Sequence, residues 1–349
     1  MVLGVPVYDV YGKLVYDKNT QIDSVSLQVM TNKGINELLV KDKRALDVVV
    51  IPMFSPEVEG QITDAFRTLV LNNLGKDTLS PIDLTTLNIA INDAAESMTF
   101  QALGGVNIAG GILPDDYIFF QSVRTATLAL VVGHKLGLKS RELARLGMAA
   151  VLKDIACIID PNIVTPETDR TSEEQRKMVR THPEKGYEIL CKNPLTKGEI
   201  ATAVLQHHEC WDGSGYPKAL KANTISTYAQ IIAIADGFAS LLYYPVPGKK
   251  RTMPHEAIEF VMAYAGDKFK QELVDIFAKQ VPCYSAGTSI LLNTGEKALV
   301  INPNLGVVAR PVVRICTDIG GQPLPKTFDV NLAKSSEQHR LISKVLEFD

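Results

Sequence analysis

The chain has 349 residues, and 36 basic residues against 39 acidic ones leave a formal net charge of -3 at pH 7. This near-neutral balance argues against general binding to nucleic acid or to an anionic membrane surface. With 46% hydrophobic and 21% charged residues, the composition excludes a disordered or collagen-like chain, and the length predicts two or three globular domains.

The sequence carries no targeting or membrane signal that we recognise. The N-terminus has no basic stretch followed by a long apolar core, and no apolar run approaches the roughly 20 residues that cross a bilayer. The five cysteines are scattered without a CxxC pair, which predicts neither a disulfide framework nor a thiolate zinc site. We therefore expect a cytoplasmic protein with reduced thiols and no membrane contact.

Residues 1–112 are interpreted as a small α/β module that ends in a linker. Short β-branched runs at residues 38–40 and 48–51 predict strands, and apolar spacing after residue 57 predicts a helix. Two glycine pairs between residues 104 and 111 have the composition of a boundary. The main domain is therefore placed at residues 113–282.

The main domain is predicted to be almost entirely helical. Three Thr-x-x-Glu patterns, which begin at Thr171, Thr181 and Thr196, have the form of a capping box and predict helix starts. Apolar residues at helical spacing between positions 148 and 159 predict one continuous helix that faces the core.

The pattern changes again after residue 282. Short β-branched runs at residues 289–292, 298–301 and 312–315 are separated by Asn, Gly and Pro turns, which predicts a small antiparallel β segment over residues 283–349. The fold class is therefore mainly α, with a helical domain flanked by a small N-terminal α/β module and a short C-terminal β segment.

The strongest chemical signal is a group of histidines in the helical region. The chain has six histidines, and His182, His207 and His208 lie close together in sequence. An adjacent pair at a helix end can face one pocket, and a third imidazole from the start of another helix can join it. Such imidazoles with carboxylates suit zinc, iron or manganese. The alternative for a bare pair is two partly exposed side chains bonded to backbone carbonyls.

The residues around the pair favour the chemical interpretation. Residues 206–217 contain the only tryptophan of the chain and a turn with two glycines. This run resembles HHExxDGSGYP, the signature of the HD-GYP proteins, which are metal-dependent phosphodiesterases of cyclic di-GMP in bacterial signalling. The resemblance extends from about residue 117 to residue 281, and it implies a helical HD-type domain. The residues that it implies for the GYP loop are Asp212, Gly213, Gly215, Tyr216 and Pro217.

The same resemblance implies a set of metal-ligand positions. The motif that starts at His182 is similar to the family's HPxxG, and Ala235-Asp236 is similar to its later metal-binding aspartate. The implied ligands are Asp154, His182, His207, His208 and Asp236.

Three positions depart from the family pattern. Gln121 stands in place of the first-helix histidine, Lys153 in place of the histidine of the HD dyad, and Cys157 in place of a lysine. In the two-metal arrangement of the family, the replacements at Gln121 and Lys153 remove both imidazole ligands of one ion and no ligand of the other. The resemblance therefore implies a degenerate site with one divalent ion, iron or manganese, in each chain.

Lys153 has a physical rationale beside Asp154 and Asp236. An unpaired buried carboxylate is costly, and an ammonium can compensate the charge without supplying a metal's chemistry. The alternative is a lysine that extends to solvent. Cys157 is interpreted as a small core residue rather than a nucleophile.

Substrate contacts and partners follow from the resemblance alone. Three basic residues after the later aspartate, Lys249, Lys250 and Arg251, are candidates for a phosphate contact, although such a run is also typical of a solvated loop. Lys218 stands where many relatives have an arginine, and it lacks the bidentate fork.

Three functions remain open at this point, and no catalytic residue is assigned. The first is a degenerate HD-GYP protein that acts as a cyclic di-GMP sensor or interaction module with little or no hydrolysis. The second is an active phosphodiesterase of cyclic di-GMP or a related nucleotide. The third is a metal-stapled scaffold, in which the GYP surface docks a diguanylate cyclase or an adaptor protein. A homodimer is compatible with each of them.

Overall fold

The computed structural model describes residues 1–9, 13–33, 35, 38–48, 54–98, 117–160, 163, 172–243, 252–304 and 306–346. Within these residues the protein is mainly helical, with two short N-terminal strands and a C-terminal sheet, which confirms the predicted fold class. No helix in the described ranges has the length and apolar character needed to cross a bilayer.

The described helices and strands alternate little, since helices dominate the centre of the chain and strands its ends. In chain order they are β1 (Val7–Tyr8), β2 (Leu14–Tyr16), α1 (Ser24–Asn32), α2 (Pro56–Asn73), α3 (Pro81–Met98), α4 (Tyr117–Leu136), α5 (Ser140–Val151), α6 (Ile155–Ile159), α7 (Glu173–Val179), α8 (His182–Cys191), α9 (Glu199–Gln206), α10 (Thr227–Tyr243), α11 (Pro254–Ala263), α12 (Gln271–Gln280), β3 (Ser289–Leu292), β4 (Lys297–Asn302), β5 (Val312–Thr317), β6 (Pro323–Asn331) and β7 (Ile342–Val345).

One apolar core joins α2 and α3 to the helices that follow them. Leu69 of α2, Ile91 of α3 and Leu130 of α4 are fully buried in the same cluster. A Cβ on Gly147 of α5 would lie 2.7 Å from Cγ2 of Ile91, so the missing side chain permits the close approach of α3 to α5. The domain boundary at residue 112 stays a prediction, because residues 99–116 lie outside the described ranges, but α2 and α3 share the core of the helical domain.

Two helices begin near the predicted capping boxes, and Thr181 is the N-cap residue of α8, yet neither threonine side chain makes the capping bond. The hydroxyl of Thr181 donates to the carbonyl three residues earlier at 2.7 Å, and that of Thr196 donates to the carbonyl of Leu190 at 2.7 Å. The N-cap of α9 is Gly198. The capping bonds predicted there are therefore wrong, because both hydroxyls are satisfied by the preceding turn. The third pattern starts at Thr171, which lies outside the described ranges.

The helix predicted between residues 148 and 159 is broken in the middle. Helix α5 ends at Val151 and α6 begins at Ile155, so Lys153 and Asp154 lie in the connecting turn. The apolar stripe still faces the core on both sides of the break, since Met148, Leu152, Ile155 and Ile159 are all buried. Periodicity alone did not reveal the break, because the turn preserves the direction of the stripe. The turn places two consecutive charged residues at the centre of the helical domain.

The strand predicted at residues 38–40 is wrong, because the described strands of the N-terminal segment lie elsewhere. Strands β1 and β2 form an antiparallel pair, while residues 38–40 contribute only an isolated bridge between Leu3 and Val40. Residues 49–51 of the second predicted run lie outside the described ranges.

The C-terminal segment forms a five-stranded antiparallel sheet in the order β6-β5-β4-β3-β7. Its apolar face is a separate small core that includes Ile290, Val300 and Val313. Arg314 of β5 is bound to Asp329 of β6 at 2.7 Å and to Asp47 of the N-terminal segment at 2.6 Å. These bonds hold the N-terminal segment against the C-terminal sheet.

Candidate functional site

Four of the predicted ligands lie together where three segments of the helical domain meet. Asp154 lies in the turn between α5 and α6, His182 is the first residue of α8, and His207 and His208 follow the last residue of α9. Each offers one ligand atom, and these atoms lie within 4.8 Å of one another. We call these four residues the histidine cluster. The adjacent pair at a helix end does face one pocket, as the sequence indicates.

Backbone carbonyls fix the orientation of two of the imidazoles. Nδ1 of His182 lies 2.7 Å from the carbonyl oxygen of Val179, and Nδ1 of His207 lies 2.6 Å from that of Val204. Because a carbonyl only accepts hydrogen bonds, each Nδ1 carries the hydrogen, and in the neutral ring each Nε2 then presents a lone pair. Such backbone contacts are typical of metal-binding histidines.

The lone pairs of the histidine cluster converge on one point. Nε2 of His182 lies 3.2 Å from Nε2 of His207, and Oδ1 of Asp154 lies 3.3 Å from the first and 3.7 Å from the second. Three acceptors without a hydrogen between them repel one another in a buried site. A divalent cation removes this repulsion, so the residues present fit a metal of the zinc, iron or manganese type.

Burial keeps the imidazoles in the form that binds a metal. Burial lowers the pKa of His207 below its ordinary value, and together with the neighbouring imidazoles it lowers the pKa of His208 further. Burial alone would raise the pKa of Asp154, but the charge of Lys153 outweighs it and holds that pKa well below its usual range. At neutral pH His207 and His208 are therefore neutral and Asp154 is ionised.

The second oxygen of Asp154 faces a different set of side chains. The ammonium of Lys153 contacts Oδ2 of Asp154, lies 2.9 Å from Oδ1 of Asp236 and donates to Oε1 of Gln121 at 3.0 Å. Nε2 of Gln121 donates to Asp236 and, at 3.1 Å, to the hydroxyl of Ser240. We call the side chains around this ammonium the lysine cluster; they are Gln121, Lys153, Asp236 and Ser240 together with Asp154, which this cluster shares with the histidine cluster.

The ammonium of Lys153 is enclosed by acceptors. The side chain is 1% exposed, so the alternative of a lysine that extends to solvent is wrong. Burial by itself lowers the pKa of Lys153, but the charges of Asp154 and Asp236 outweigh it and raise the pKa above its ordinary value. Lys153 is therefore a buried cation whose three hydrogens meet three acceptors. Asp236, on the buried helix α10, faces this cation and stands apart from the four residues of the histidine cluster.

The GYP loop folds back onto the histidine pair. The carboxylate of Glu209, which is buried, accepts backbone N–H bonds from Lys218 at 2.7 Å and Leu220 at 2.9 Å. A Cβ on Gly215 would lie 2.5 Å from the carbonyl oxygen of His208, so no other residue fits there without movement of the backbone. Glu209 was not assigned a role from the sequence, although its place directly after the histidine pair was a signal.

The outer part of the loop is bound to a second loop. The backbone N–H of Trp211 donates to the backbone carbonyl of Lys268 at 2.9 Å, and that of Asp212 donates to the backbone carbonyl of Asp267 at 2.8 Å. Gly213 has a φ of 88°, in the left-handed region that favours glycine. These hydrogen bonds hold the loop beside the histidine cluster.

Two aromatic contacts link this loop to the site. The ring of Tyr216 stacks on His208 with centroids 4.7 Å apart and planes at 19°. The guanidinium of Arg180 lies 5.3 Å from the centroid of the Tyr216 ring. Arg180 was not singled out from the sequence, and only its place two residues before His182 could have indicated it.

The predicted substrate contacts are less well placed. Lys218 is exposed, and its backbone, rather than its side chain, bonds to the site through Glu209. Lys249, Lys250 and Arg251 lie outside the described ranges. Cys157 is mostly buried, and burial together with the charge of Asp154 raises the pKa of its thiol, which is the property of a structural residue.

Comparison with known proteins agrees with this geometry. Residues 113–273 match the model of the HD domain family. A cyclic di-GMP phosphodiesterase of Pseudomonas aeruginosa is 25% identical over 229 residues, which cover 65% of this chain and 55% of that protein. The cyclic di-GMP phosphodiesterase response regulator RpfG of Xanthomonas campestris is 33% identical over 153 residues, which cover 44% of this chain and 40% of that protein. The chain thus spans about half the length of these relatives.

A solved structure shares the fold over most of the chain. The HDG"Y"P protein Bd1817 from Bdellovibrio bacteriovorus superposes with a TM-score of 0.52 at 16% identity, and the match covers 79% of this chain and 94% of that one. At this identity the likeness concerns the fold alone.

Proposed function

The chain belongs to the HD-GYP family of HD-domain proteins, and from that premise we propose that it binds cyclic di-GMP or a related cyclic dinucleotide at a site with one divalent metal, and that it hydrolyses the nucleotide slowly or not at all. Its role is then that of a sensor or interaction module in cyclic di-GMP signalling. The proposal takes the nucleotide from what the relatives act on, and takes the reduced activity from the lysine cluster.

The observation that carries the proposal is the position of the Lys153 ammonium. It lies between Asp154 and Asp236, the two carboxylates to which the family resemblance assigns a second metal. An ammonium has no lone pair, so it cannot bind a metal, and its charge repels a second cation. Binding of a second metal would require Lys153 to leave an enclosed, fully bonded position.

The remaining donors suffice for one ion. Asp154, His182, His207 and His208 would hold it, and when bound it would supply Lewis-acid polarisation of a phosphate oxygen. The carbonyls of Val179 and Val204 keep the two Nε2 atoms aimed inward, while the GYP loop shields His208 from water. These residues can bind and orient a phosphodiester without the second cation that stabilises both the attacking and the leaving oxygen in two-metal sites.

Metal analysis of the purified chain tests the proposal. We expect about one iron or manganese per chain by inductively coupled plasma mass spectrometry, rising toward two in Gln121→His/Lys153→His. The same preparations are then assayed for binding and hydrolysis of cyclic di-GMP. Binding without hydrolysis in the parent, with hydrolysis gained in the double variant, is the expected pattern. Two ions in the parent, or hydrolysis at ordinary enzymatic rates, would contradict it.

An active one-metal phosphodiesterase is the second candidate, and the complete histidine cluster favours it. Under this alternative the parent chain cleaves cyclic di-GMP, and His207→Ala abolishes the activity because the metal is lost. An unchanged rate in His207→Ala would remove this candidate.

A further inference from the structure

Arg180 lies at the mouth of the histidine cluster. It connects α7 to α8, two residues before His182, and its side chain is exposed. Its guanidinium carbon lies 5.3 Å from the centroid of the Tyr216 ring, and that ring stacks on His208. The tyrosine ring therefore contacts both the guanidinium and a candidate metal ligand.

The contact with Tyr216 leaves the donors of Arg180 available. A guanidinium that lies over an aromatic ring uses its face, whereas its five N–H groups point outward in its own plane. Among the residues that the structure describes, no carboxylate forms an ion pair with Arg180, whereas nearby Lys185 is paired with Asp160 at 3.2 Å. Arg180 thus presents a fork of N–H donors, which matches two oxygens of a phosphate.

Among the described residues that border Asp154, two positions do not supply such a cation. The ammonium of Lys153 is enclosed and bonded to Asp154, Asp236 and Gln121. Cys157, where the family resemblance implies a lysine, carries no positive charge. A phosphodiester bound at the histidine cluster would therefore meet its peripheral positive charge at Arg180.

We propose that Arg180 binds a phosphate of the cyclic dinucleotide and holds it at the mouth of the histidine cluster. This assignment rests on the proposed function and adds to it the residue that grips the anionic part of the ligand. Tyr216 acts as a positioning residue, because its ring contacts both the guanidinium and His208.

Isothermal titration calorimetry, with cyclic di-GMP titrated into the manganese-loaded chain, measures the affinity and tests the assignment. The variants are Arg180→Met, which keeps an apolar contact with the Tyr216 ring but removes the charge, and Arg180→Lys, which keeps the charge but removes the fork. Lys177→Met, an exposed residue of the neighbouring helix α7, is the control. Metal content and the unfolding temperature of each variant are measured alongside.

We expect Arg180→Met to weaken the binding of cyclic di-GMP about 10- to 100-fold. Arg180→Lys should lose less affinity, and Lys177→Met should bind the nucleotide like the parent. The metal content and unfolding temperature should not change, because Arg180 is exposed. Parent-like affinity in Arg180→Met would overturn the assignment of Arg180 and leave the proposed function standing. Absence of any cyclic dinucleotide binding by the parent would overturn both.

Discussion

The histidine cluster and the lysine cluster share Asp154, and they compensate buried charge in different ways. In the histidine cluster the lone pairs of His182, His207 and Asp154 face one another without a hydrogen between them. In the lysine cluster the carboxylates face the hydrogens of Lys153, which belongs to the chain itself. The first arrangement needs a cation from solution, whereas the second carries its own.

This difference teaches that buried carboxylates in one site can be neutralised by a side chain in one part and by an ion from solution in another. A covalently attached ammonium neutralises the carboxylates at all times, so the packing of α4, α5 and α10 around it does not depend on metal supply. The donors of the histidine cluster instead face one another and fit an ion from solution. The residues that fit a metal therefore face one oxygen of Asp154, and the lysine that stabilises the packing faces the other.

The largest effect is expected from removal of the buried cation. Lys153→Met leaves Asp154 and Asp236 facing each other in a buried site, which should lower the free energy of unfolding by about 3 to 5 kcal/mol. Urea denaturation measures the change, and Lys177→Met on the surface is the control. A loss below about 1 kcal/mol would mean that the carboxylates find other partners and that the two clusters do not differ as described.

Loss of one imidazole should affect metal binding rather than folding. His207→Ala removes one of the converging donors, and we expect manganese affinity to fall at least about 100-fold, more than for the loss of an outer contact. Metal titration followed by elemental analysis measures it. His339→Ala, an exposed histidine of the C-terminal segment, serves as the control and should keep full metal content.

The pH dependence of stability should separate the two clusters after treatment with a chelator. Burial lowers the pKa of His207 and His208, so the unfolded chain binds more protons than the folded one below about pH 6.5. The contribution of these two histidines to the free energy of unfolding is fully present above that pH. It is lost as the pH falls, by at most about 1.4 kcal/mol per pH unit for each histidine.

Lys153 and Asp154 should not contribute to the pH dependence of stability in this window. The pKa of Lys153 is raised and that of Asp154 is lowered, so neither group changes protonation between pH 5 and pH 9. Urea unfolding at a series of pH values measures the slope. A flat curve from pH 7 to pH 5 in the chelated chain would contradict the assignment of neutral, buried imidazoles.

The smallest effect is expected at the edge of the lysine cluster. Ser240→Ala removes one hydrogen bond from Gln121, whose amide still donates to Asp236, so the free energy of unfolding should fall by about 1 kcal/mol. Thr227→Ala at the exposed start of the same helix is the control and should change stability by less than about 0.5 kcal/mol. A loss as large as that of Lys153→Met would show that Gln121, rather than Lys153, organises the cluster.

The local motifs determined most of the site. The adjacent histidines, the glycine turn after them and the C-terminal β-branched runs each specify a local conformation through short-range geometry, and the structure bears those out. Two kinds of local inference failed. The helix break at Lys153 escaped detection because the apolar stripe continues across it, and the threonines expected to cap helices bond instead to the turn before each helix.

Long-range packing decided the rest. The sequence placed a lysine beside an aspartate, but only the meeting of three helices brings Asp236 and Gln121 to the Lys153 ammonium, across more than thirty positions of chain. Likewise, no pattern in the sequence links Arg180 to Tyr216. Local geometry depends on neighbouring residues and can be read from the chain, whereas these contacts depend on how the helices pack, because a shared core brings together residues that are distant in sequence.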